Sequence, residues 1–287
     1  MIVAFKLKPQ EEPLLRCYCH MDTVGSIGTT NTTQLIKIEE LTVSRTDFGV
    51  ATDNRQIYIV GGKINGKATN IVERYDYDSK IWTTLPPICY HLFGCGVIVV
   101  GRKLYVIGGD SGACGWKEMQ VLDLDTNIWS TSYPRMWKRR AFASVVYHDN
   151  HIYVVGGITK EKCHPLFERY DMINQVWESS KQSYMYWRHY SAAVIGNTIH
   201  MKSEYDFLAY SLETKEITQK RGGRYWFDHI SIFPHIDGMV AVIREKTKKL
   251  MISRYSHKAQ KWYQTQTHEM TDYSIGCYSI PQLPHEL

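Results

Sequence analysis

Gln56-Ile-Tyr-Ile-Val-Gly-Gly62 is a short apolar segment that ends in two glycines, which is the pattern of a β-strand running into a turn. The pattern recurs as Lys103-Leu-Tyr-Val-Ile-Gly-Gly109 and as His151-Ile-Tyr-Val-Val-Gly-Gly157. The second glycines stand at positions 62, 109 and 157, so the spacing between the copies is nearly constant. A strand and turn that return at such a period indicate a repeat architecture, with one supersecondary unit in each repeat.

A predicted hairpin follows each pair of glycines. Tryptophan occurs at the same distance after the second glycine in all three copies, as Trp82, Trp129 and Trp177. Tyr75 and Tyr170, each within Glu-Arg-Tyr-Asp, lie seven residues before the first and third tryptophans, and a polar turn separates the two positions. We expect these aromatic residues to be structural, packed between neighbouring units with their polar atoms hydrogen-bonded locally.

A segment with small residues precedes each Gly-Gly strand, at residues 48–51, 94–98 and 141–146. Arg45 and Arg140 open two of these segments, at equal distances before the second glycine that follows (45 to 62 and 140 to 157). One unit therefore has four strands: a (small residues), b (ending in Gly-Gly), c (carrying the tyrosine) and d (carrying the tryptophan). Four antiparallel strands at this period form one blade of a β-propeller. The glycines are expected to allow close chain approach and positive φ at the turn.

Two weaker units follow, in which the Gly-Gly pair is missing. Tyr210 with Ile217, and Tyr255 with Trp262, keep the seven-residue spacing of strands c and d. The sequence therefore contains five consecutive units, three strong and two degenerate.

The two ends of the chain are expected to form one further blade. The N-terminal region indicates strands at residues 14–19 and 34–39, whereas the tail at residues 271–280 is similar to a lone strand a. Pairing the two removes the exposed sheet edges that an open array would leave. The fold predicted is all-β: a six-bladed β-propeller of four-stranded antiparallel blades, with the first blade closed by the C-terminal strand. The single domain covers residues 1–287, and the predicted blades are 1–44 with 271–281, 45–91, 92–139, 140–187, 188–223 and 224–270.

The composition is that of an ordinary globular protein, with 44% hydrophobic, 22% charged and 13% aromatic residues. The net charge of +5 is compatible with an acidic partner and does not argue for nucleic acid. The seven cysteines are an odd number at spacings that match no disulfide scaffold, which favours a reducing, cytoplasmic compartment. No signal peptide is visible, and no apolar run approaches the roughly 18 residues of a membrane span.

These motifs resemble the kelch repeat, in which an apolar strand ending in Gly-Gly is followed by a tyrosine, a tryptophan and an arginine that opens the next unit. The resemblance extends over residues 41–270 and is strongest over residues 45–188. It implies the six-bladed propeller of kelch-like (BTB–kelch) proteins, whose BTB and BACK domains recruit a cullin ubiquitin ligase. The segment that precedes the repeats is too short for either domain, so we expect a propeller without them. Substrate recognition for a cullin ligase, competition with full-length kelch-like proteins and actin-linked scaffolding are the roles that the resemblance implies.

The connectivity places the b–c and d–a loops at the same end of the strands, and in the kelch resemblance this face binds partner proteins. The loops are rich in arginine, lysine and aromatic residues. Arginine and aromatic side chains carry binding hot spots, and arginine binds carboxylates in a bidentate manner. We predict that an acidic segment of a partner protein binds there. The predicted contact residues are Trp137, Arg139, Arg140, Tyr186, Trp187, Arg188, Arg224, Tyr225 and Trp226.

Two other functions stay open from the sequence. One is an enzyme with its active site at the propeller axis, although Gly108–Gly115 lacks the Gly-x-Ser-x-Gly spacing of a nucleophile elbow. The other is a degenerate, truncated paralogue with little activity, which the two units without Gly-Gly favour. Cys17-Tyr-Cys-His20 has metal-ligand residue types without a second pair at zinc spacing. We predict a monomeric binding protein that is not an enzyme, with no cofactor, no metal site, no nucleic-acid partner and no membrane segment.

Overall fold

Six four-stranded antiparallel sheets and two two-stranded sheets, with no helix, make up the part of the chain that the structure describes. The prediction of an all-β fold built from antiparallel four-stranded units is therefore confirmed. The computed structural model describes residues 2–7, 16–21, 34–38, 41–43, 45–53, 55–76, 78–112, 115–158, 164–180, 183–184, 190–203, 206–221, 227–235, 238–245, 249–256, 261–269 and 274–278.

Within these ranges, five of the four-stranded sheets are formed by strands that follow one another along the chain. In order of pairing, the first sheet contains β28 (Ser274–Tyr278), β1 (Ile2–Leu7), β2 (Arg16–Met21) and β3 (Gln34–Ile38), and the second contains β4 (Gly49–Thr52), β5 (Gln56–Val60), β8 (Val72–Asp76) and β9 (Ile81–Leu85). The third sheet contains β10 (Gly96–Val100), β11 (Lys103–Ile107), β12 (Met119–Asp123) and β13 (Ile128–Ser130), and the fourth contains β14 (Ser144–His148), β15 (His151–Val155), β17 (Phe167–Asp171) and β18 (Val176–Ser179). The fifth sheet contains β20 (Ser191–Ile195), β21 (Thr198–Lys202), β22 (Asp206–Ser211) and β23 (Ile217–Arg221), and the sixth contains β24 (Phe227–His235), β25 (Gly238–Glu245), β26 (Lys249–Ser256) and β27 (Lys261–Glu269). The short pairs are β6 (Lys63–Ile64) with β7 (Lys67–Ala68), and β16 (His164–Pro165) with β19 (Ser183–Tyr184).

The first sheet combines strands from both ends of the chain. β28 pairs antiparallel with β1, so that Val3 lies opposite Tyr278 and Leu7 lies opposite Ser274. β28 also contacts β24 of the sixth sheet. The sequence patterns near the N-terminus do not indicate β1, because its segment lacks the markers of the repeat.

The first strands of the second to sixth sheets lie against one another in chain order. In the second to fifth sheets these strands begin with a small residue: Gly49, Gly96, Ser144 and Ser191. A Cβ atom on Gly49 would lie 2.3 Å from Cγ2 of Val97, so neighbouring strands approach too closely for a larger side chain. The Ser191 hydroxyl accepts a hydrogen bond from the backbone N–H of Ile232 (2.9 Å) and so joins the fifth sheet to the sixth. The small residues of strand a are thus required by contacts between sheets.

The Gly-Gly pairs form turns in which φ is positive. The φ angles are 61° at Gly61 and 104° at Gly62, and Gly108 has a φ of 64°. A Cβ atom on Gly61 would lie 2.3 Å from the Leu92 carbonyl oxygen, and one on Gly108 would lie 2.4 Å from that of Arg140. The prediction that these glycines allow positive φ and close chain approach is confirmed, since each lies against the loop that enters the next sheet.

The seven-residue spacing of tyrosine and tryptophan places the two side chains opposite each other across a hairpin. Tyr75 is paired with Trp82 and Tyr170 with Trp177, and the ring centroids are 5.0 Å and 5.2 Å apart. The indole Nε1–H of Trp177 donates to the Pro134 carbonyl (2.9 Å), which belongs to the loop leaving the third sheet. The predicted structural role of this tryptophan is therefore confirmed: it ties the fourth sheet to the preceding one.

Apolar residues on both faces of the inner strands are buried where a sheet packs against a neighbour on either side, as the third, fourth and fifth sheets do. Along β10, Val97 and Val99 pack with Val60 of the second sheet, whereas Ile98 packs with Ile152 of the fourth. Among the described residues, core clusters of this kind join the second sheet to the third, and so on to the sixth. The loops at the strand ends are thus carried by a continuous, well-packed framework.

The c–d turns of three sheets share an aspartate whose carboxylate closes the turn. Oδ1 of Asp76 accepts hydrogen bonds from the backbone N–H groups of Asp78 (3.1 Å) and Ser79 (2.9 Å). Asp123 and Asp171 make the same pair of bonds in their own turns. These bonds favour the ionised carboxylate, so the pKa of Asp76 lies below its usual 3.8, and the pKa values of Asp123 and Asp171 are lowered for the same reason.

Replacing all three aspartates by asparagine is expected to make the protein less sensitive to acid. A carboxylate whose pKa is lowered in the folded state contributes stability above its unfolded pKa, and this contribution disappears as the pH falls through the lowered value. The decrease in the free energy of unfolding below about pH 4 should therefore be shallower in Asp76→Asn/Asp123→Asn/Asp171→Asn than in the parent. Urea titrations at several pH values in this range measure how steeply the free energy of unfolding falls as the pH is lowered. Equal slopes in the two proteins would contradict the expectation.

Candidate partner-binding face

Hydrogen bonds between main-chain atoms join the b–c and d–a loops at one end of the strands. The N–H of Gly109 donates to the Arg140 carbonyl (2.8 Å), and the N–H of Arg140 donates to the Trp116 carbonyl (3.0 Å). In the preceding pair of loops, the N–H of Gly62 donates to the Leu92 carbonyl (2.8 Å) in the same way. We call this surface the binding face and define it by the described residues of four loops: 61–71, 86–95, 108–118 and 131–143.

Trp137 is the most exposed large aromatic residue of these loops, with 68% of its surface accessible to solvent. Its backbone N–H donates to Oε2 of Glu168 (2.6 Å), and the next N–H, that of Lys138, donates to Oε1 of the same carboxylate (3.1 Å). The indole Nε1–H of Trp137 donates to the Trp177 carbonyl (3.2 Å). An exposed tryptophan is therefore held on an ordered stretch of backbone.

Arginine side chains flank Trp137 on the same loop. Arg135 is 66% exposed, and its Nε lies 3.6 Å from Oε1 of Glu118. Arg139 is exposed, and its Nη1 donates to the Gly115 carbonyl (3.0 Å), which fixes the guanidinium against the neighbouring b–c loop. The loop thus carries a tryptophan and two exposed arginines, the side-chain types that bind carboxylates and carry binding hot spots.

A second aromatic pair lies on the neighbouring loops of the binding face. Tyr90 is 40% exposed, and its ring centroid lies 4.3 Å from that of Trp116. Trp116 is partly buried and packs on the core between the second and third sheets. Neither residue belongs to the nine contact residues predicted from the sequence.

The structure corrects one of the predicted contact residues: the side chain of Arg140 is buried. It is 1% exposed and its Nε lies 3.2 Å from Oε1 of Glu168, which is 0% exposed. The other guanidinium nitrogens donate to the carbonyls of Gly156 and Pro165. The arginine that opens the repeat therefore points into the fold, where a buried carboxylate and two carbonyls satisfy it, and it has no contact surface to offer a partner.

Arg45 occupies the same place before the second sheet and is buried in the same way. Its Nη2 lies 2.7 Å from Oε2 of Glu73, and neither side chain is exposed. Thr42 of the entering loop also donates to Glu73 through its hydroxyl. Sequence reasoning missed the two glutamates as partners, although a signal was present: each stands within Glu-Arg-Tyr-Asp, at the same distance after its arginine (45 to 73 and 140 to 168).

Burial acts on the pKa of each charged group in these pairs. Desolvation lowers the pKa of Arg45 and of Arg140, and it raises the pKa of Glu73, while the ion pair opposes each shift. The cost of removing these charges from water offsets most of the attraction within each pair. The pairs therefore act chiefly to order the loops and contribute little net stability.

In the third sheet, neutral residues occupy the two positions of this ion pair. Leu92 replaces the arginine and Gln120 replaces the glutamate, and both are buried. Oε1 of Gln120 accepts a hydrogen bond from the backbone N–H of Cys89 (2.8 Å). Thr42, Cys89 and Trp137 each lie 31 residues before the acceptor that they contact. The repeat thus keeps a hydrogen-bond acceptor for the entering loop whether or not the acceptor is charged.

Three residues with positive φ connect the segments that enter the second, third and fourth sheets. Asp47, Gly94 and Phe142 stand at equivalent repeat positions with φ angles of 54°, 59° and 56°. The Gly94 N–H donates to the Asp47 carbonyl and the Phe142 N–H donates to the Gly94 carbonyl, both at 2.6 Å. Nζ of Lys63 lies 2.9 Å from Oδ2 of Asp47 and 3.7 Å from the centroid of the Phe93 ring. Lys63 is therefore largely engaged in contacts within these loops.

The remaining site predictions concern other parts of the chain. No group of three or more His, Cys, Asp or Glu side chains within the described ranges is arranged to hold a metal ion. The same ranges contain no helix that is long and apolar enough to cross a membrane. Six predicted contact residues lie outside the described residues: Tyr186, Trp187, Arg188, Arg224, Tyr225 and Trp226.

Comparison with protein families agrees with this repeat geometry. A family model for the KLHDC2/KLHL20/DRC7 Kelch-repeats domain matches residues 26–201, which is more than half of the chain. The chain belongs to the kelch-repeat family. The match includes all four loops of the binding face, so this surface is a surface of kelch repeats. No curated protein matches the chain in sequence.

Proposed function

We propose that this kelch domain is a protein-interaction module that binds an acidic segment of a partner protein on the binding face. The observation that supports the proposal best is the exposed Trp137, held on an ordered loop that also carries the exposed arginines Arg135 and Arg139. An aromatic anchor beside arginine is the usual composition of a binding hot spot. The guanidinium groups would pair with carboxylates of the partner while the indole covers its apolar atoms.

The proposal includes a closed architecture for the domain. We infer a six-bladed β-propeller over residues 1–287, in which β28 completes the first blade and the blade boundaries are those derived from the repeats. The pairing of β28 with β1 and its contact with β24 support this inference. A ring would gather the loops of all blades on one face, so the residues of the later blades would extend the surface around Trp137: Tyr186, Trp187, Arg188, Arg224, Tyr225 and Trp226.

The cellular role that we propose is that of a binder without catalytic activity, acting as a monomer in the cytoplasm. Recognition of substrates for a cullin ubiquitin ligase, competition with full-length kelch-like proteins and scaffolding on actin are the specific roles to be distinguished. Affinity capture from a lysate followed by mass spectrometry tests the first and the last of these roles, because cullin subunits, or actin, would be recovered by the parent protein and lost with a binding-face variant.

Selection from a displayed library of random peptides tests the preference for acidic segments. We expect the recovered sequences to be enriched in aspartate and glutamate. We also expect Arg135→Glu/Arg139→Glu to bind a recovered peptide about tenfold or more weakly, because charge reversal opposes the carboxylates that the arginines attracted. Fluorescence anisotropy of a labelled peptide measures the affinity, which should also decrease as salt is added.

A matched control reverses the same amount of charge at the other end of the strands. Arg55 and Arg102 are exposed residues of two a–b turns, so Arg55→Glu/Arg102→Glu has the same net charge as the binding-face variant. Its affinity should stay within about twofold of the parent's. Equal losses in the two variants, or recovered peptides without acidic residues, would contradict the proposed function.

A further inference from the structure

Three N–H donors converge on the buried carboxylate of Glu168. The backbone N–H groups of Trp137 and Lys138 donate to its two oxygens at 2.6 Å and 3.1 Å, and Nε of Arg140 donates to Oε1 at 3.2 Å. Hydrogen bonds to an ionised acceptor are shorter and stronger than those between neutral groups. A carboxylate can accept on both oxygens, so a single buried side chain holds two consecutive peptide groups of the exposed loop.

These hydrogen bonds restrain chiefly Trp137. Its peptide group is fixed by Glu168, and its indole N–H is fixed by the Trp177 carbonyl, yet 68% of its surface is exposed. An exposed tryptophan that is already ordered loses less conformational entropy on binding than one on a loose loop. Both restraints are internal to the fold, so the orientation of the ring exists before any partner arrives.

The other sheets show that this arrangement does not simply follow from the repeat. At the equivalent place before the third sheet, Gln120 accepts from Cys89, and Leu92 takes the place of the arginine. Before the second sheet, Glu73 accepts from Thr42. Of these three entering loops, only the one held by Glu168 carries an exposed large aromatic residue at this position.

We propose that Glu168 is a positioning residue of the binding face and that Trp137 is the aromatic anchor it positions for the partner. This inference rests on the proposed function for its biological meaning. Glu168 itself is buried and does not touch the partner; it acts through the backbone of the loop, with Arg140 providing the third donor and the balancing charge.

The variant Glu168→Gln/Arg140→Leu tests the proposal while keeping a combination of side chains that the chain already uses in its third sheet. Its amide oxygen can replace only one carboxylate oxygen, so one of the two peptide groups loses its acceptor. With fluorotryptophan incorporated, we expect the fluorine resonance of Trp137, assigned by its disappearance in Trp137→Phe, to shift or broaden. We also expect a labelled acidic peptide from the display selection to bind about three- to tenfold more weakly.

The control is Arg45→Leu/Glu73→Gln, which makes the same chemical change in the second sheet, away from Trp137. It should leave both the Trp137 resonance and the peptide affinity as in the parent. The proposal is overturned if Glu168→Gln/Arg140→Leu leaves either the resonance or the affinity unchanged, or if the control variant alters both to the same extent.

Failure of the proposed function gives a different result. If Trp137→Ala binds the peptide as well as the parent, or if the selection recovers no acidic peptide, then Trp137 is not the anchor of an acidic segment. The fluorine spectra would still decide whether Glu168 orders the tryptophan, because they need no partner.

Discussion

A chain that ends at residue 270 is expected to melt about 10 °C or more below the full chain. The truncation removes β28, which pairs with β1 from Val3 to Leu7 and contacts β24 of the sixth sheet. Its loss leaves the backbone groups of β1 without partners along one edge and removes the contacts of β28 with the sixth sheet. An unpaired strand edge also favours association with other chains, so we expect aggregation to accompany the lower melting temperature.

A chain that ends at residue 281 is the control, because it keeps β28 and loses only the residues after the predicted end of the first blade. Its melting temperature should lie within a few degrees of that of the full chain, about 3 °C at most. Calorimetry or circular dichroism gives the comparison. The closed-propeller proposal is wrong if the two truncated chains melt at the same temperature.

The second prediction concerns the buried pair of Arg45 and Glu73. Arg45→Leu alone should lower the free energy of unfolding by about 3–5 kcal/mol, because it leaves the buried carboxylate without its counter-charge. Burial then raises the pKa of Glu73 with only the Thr42 hydrogen bond to oppose it, so the loss should grow as the pH rises toward that raised value and shrink in acid. Urea titrations at several pH values measure both effects.

The double variant Arg45→Leu/Glu73→Gln is expected to recover most of the lost stability. It introduces the residues that the third sheet already has at these positions, where Leu92 and Gln120 are buried and Gln120 still accepts a bond from the entering loop. Replacing a buried ion pair by neutral residues of suitable shape is often neutral or stabilising. Removal of Arg45 also removes two buried nitrogens, Nε and Nη1, which have no hydrogen-bond acceptor among the described residues.

The reciprocal change in the third sheet completes this test. Gln120→Glu should destabilise the protein by about 3 kcal/mol, because it buries a carboxylate without an arginine, and adding Leu92→Arg should restore part of the loss. If Arg45→Leu and Arg45→Leu/Glu73→Gln are equally unstable, then Arg45 and Glu73 do not act as a pair. Leu92 and Gln120 would then not be the neutral equivalents of that pair.

Much of the fold could be predicted from short-range sequence patterns. The distance of seven residues between Tyr170 and Trp177 corresponds to direct opposition across a hairpin, because the turn and the strand pairing together fix the register. The positive φ at Gly61 could also be predicted, since an apolar strand ending in two glycines has few other conformations available. Such features depend on neighbours in the chain and are therefore visible in the sequence.

The direction in which a loop side chain points could not be predicted in this way. Arg139 and Arg140 are adjacent and chemically identical, and the sequence marked both as contacts with a partner. In the structure Arg139 is exposed, whereas Arg140 is buried against Glu168, which belongs to the following sheet. The partner that separates the two arginines lies far along the chain, on strand β17, and only packing of the loop on that sheet brings the groups together.

The segment Gln56–Gly62 separates the features that the sequence determines from those that only the tertiary structure decides. Its recurrence by itself determined that the protein is a repeat of antiparallel four-stranded units, because strand alternation, turns and glycine φ angles are local properties of the chain. Tertiary structure alone decided which polar residues of the repeat are buried and which are presented. That choice depends on desolvation and on hydrogen-bond acceptors in neighbouring sheets: Glu168 draws Arg140 into the fold and, through the same carboxylate, holds Trp137 on the surface.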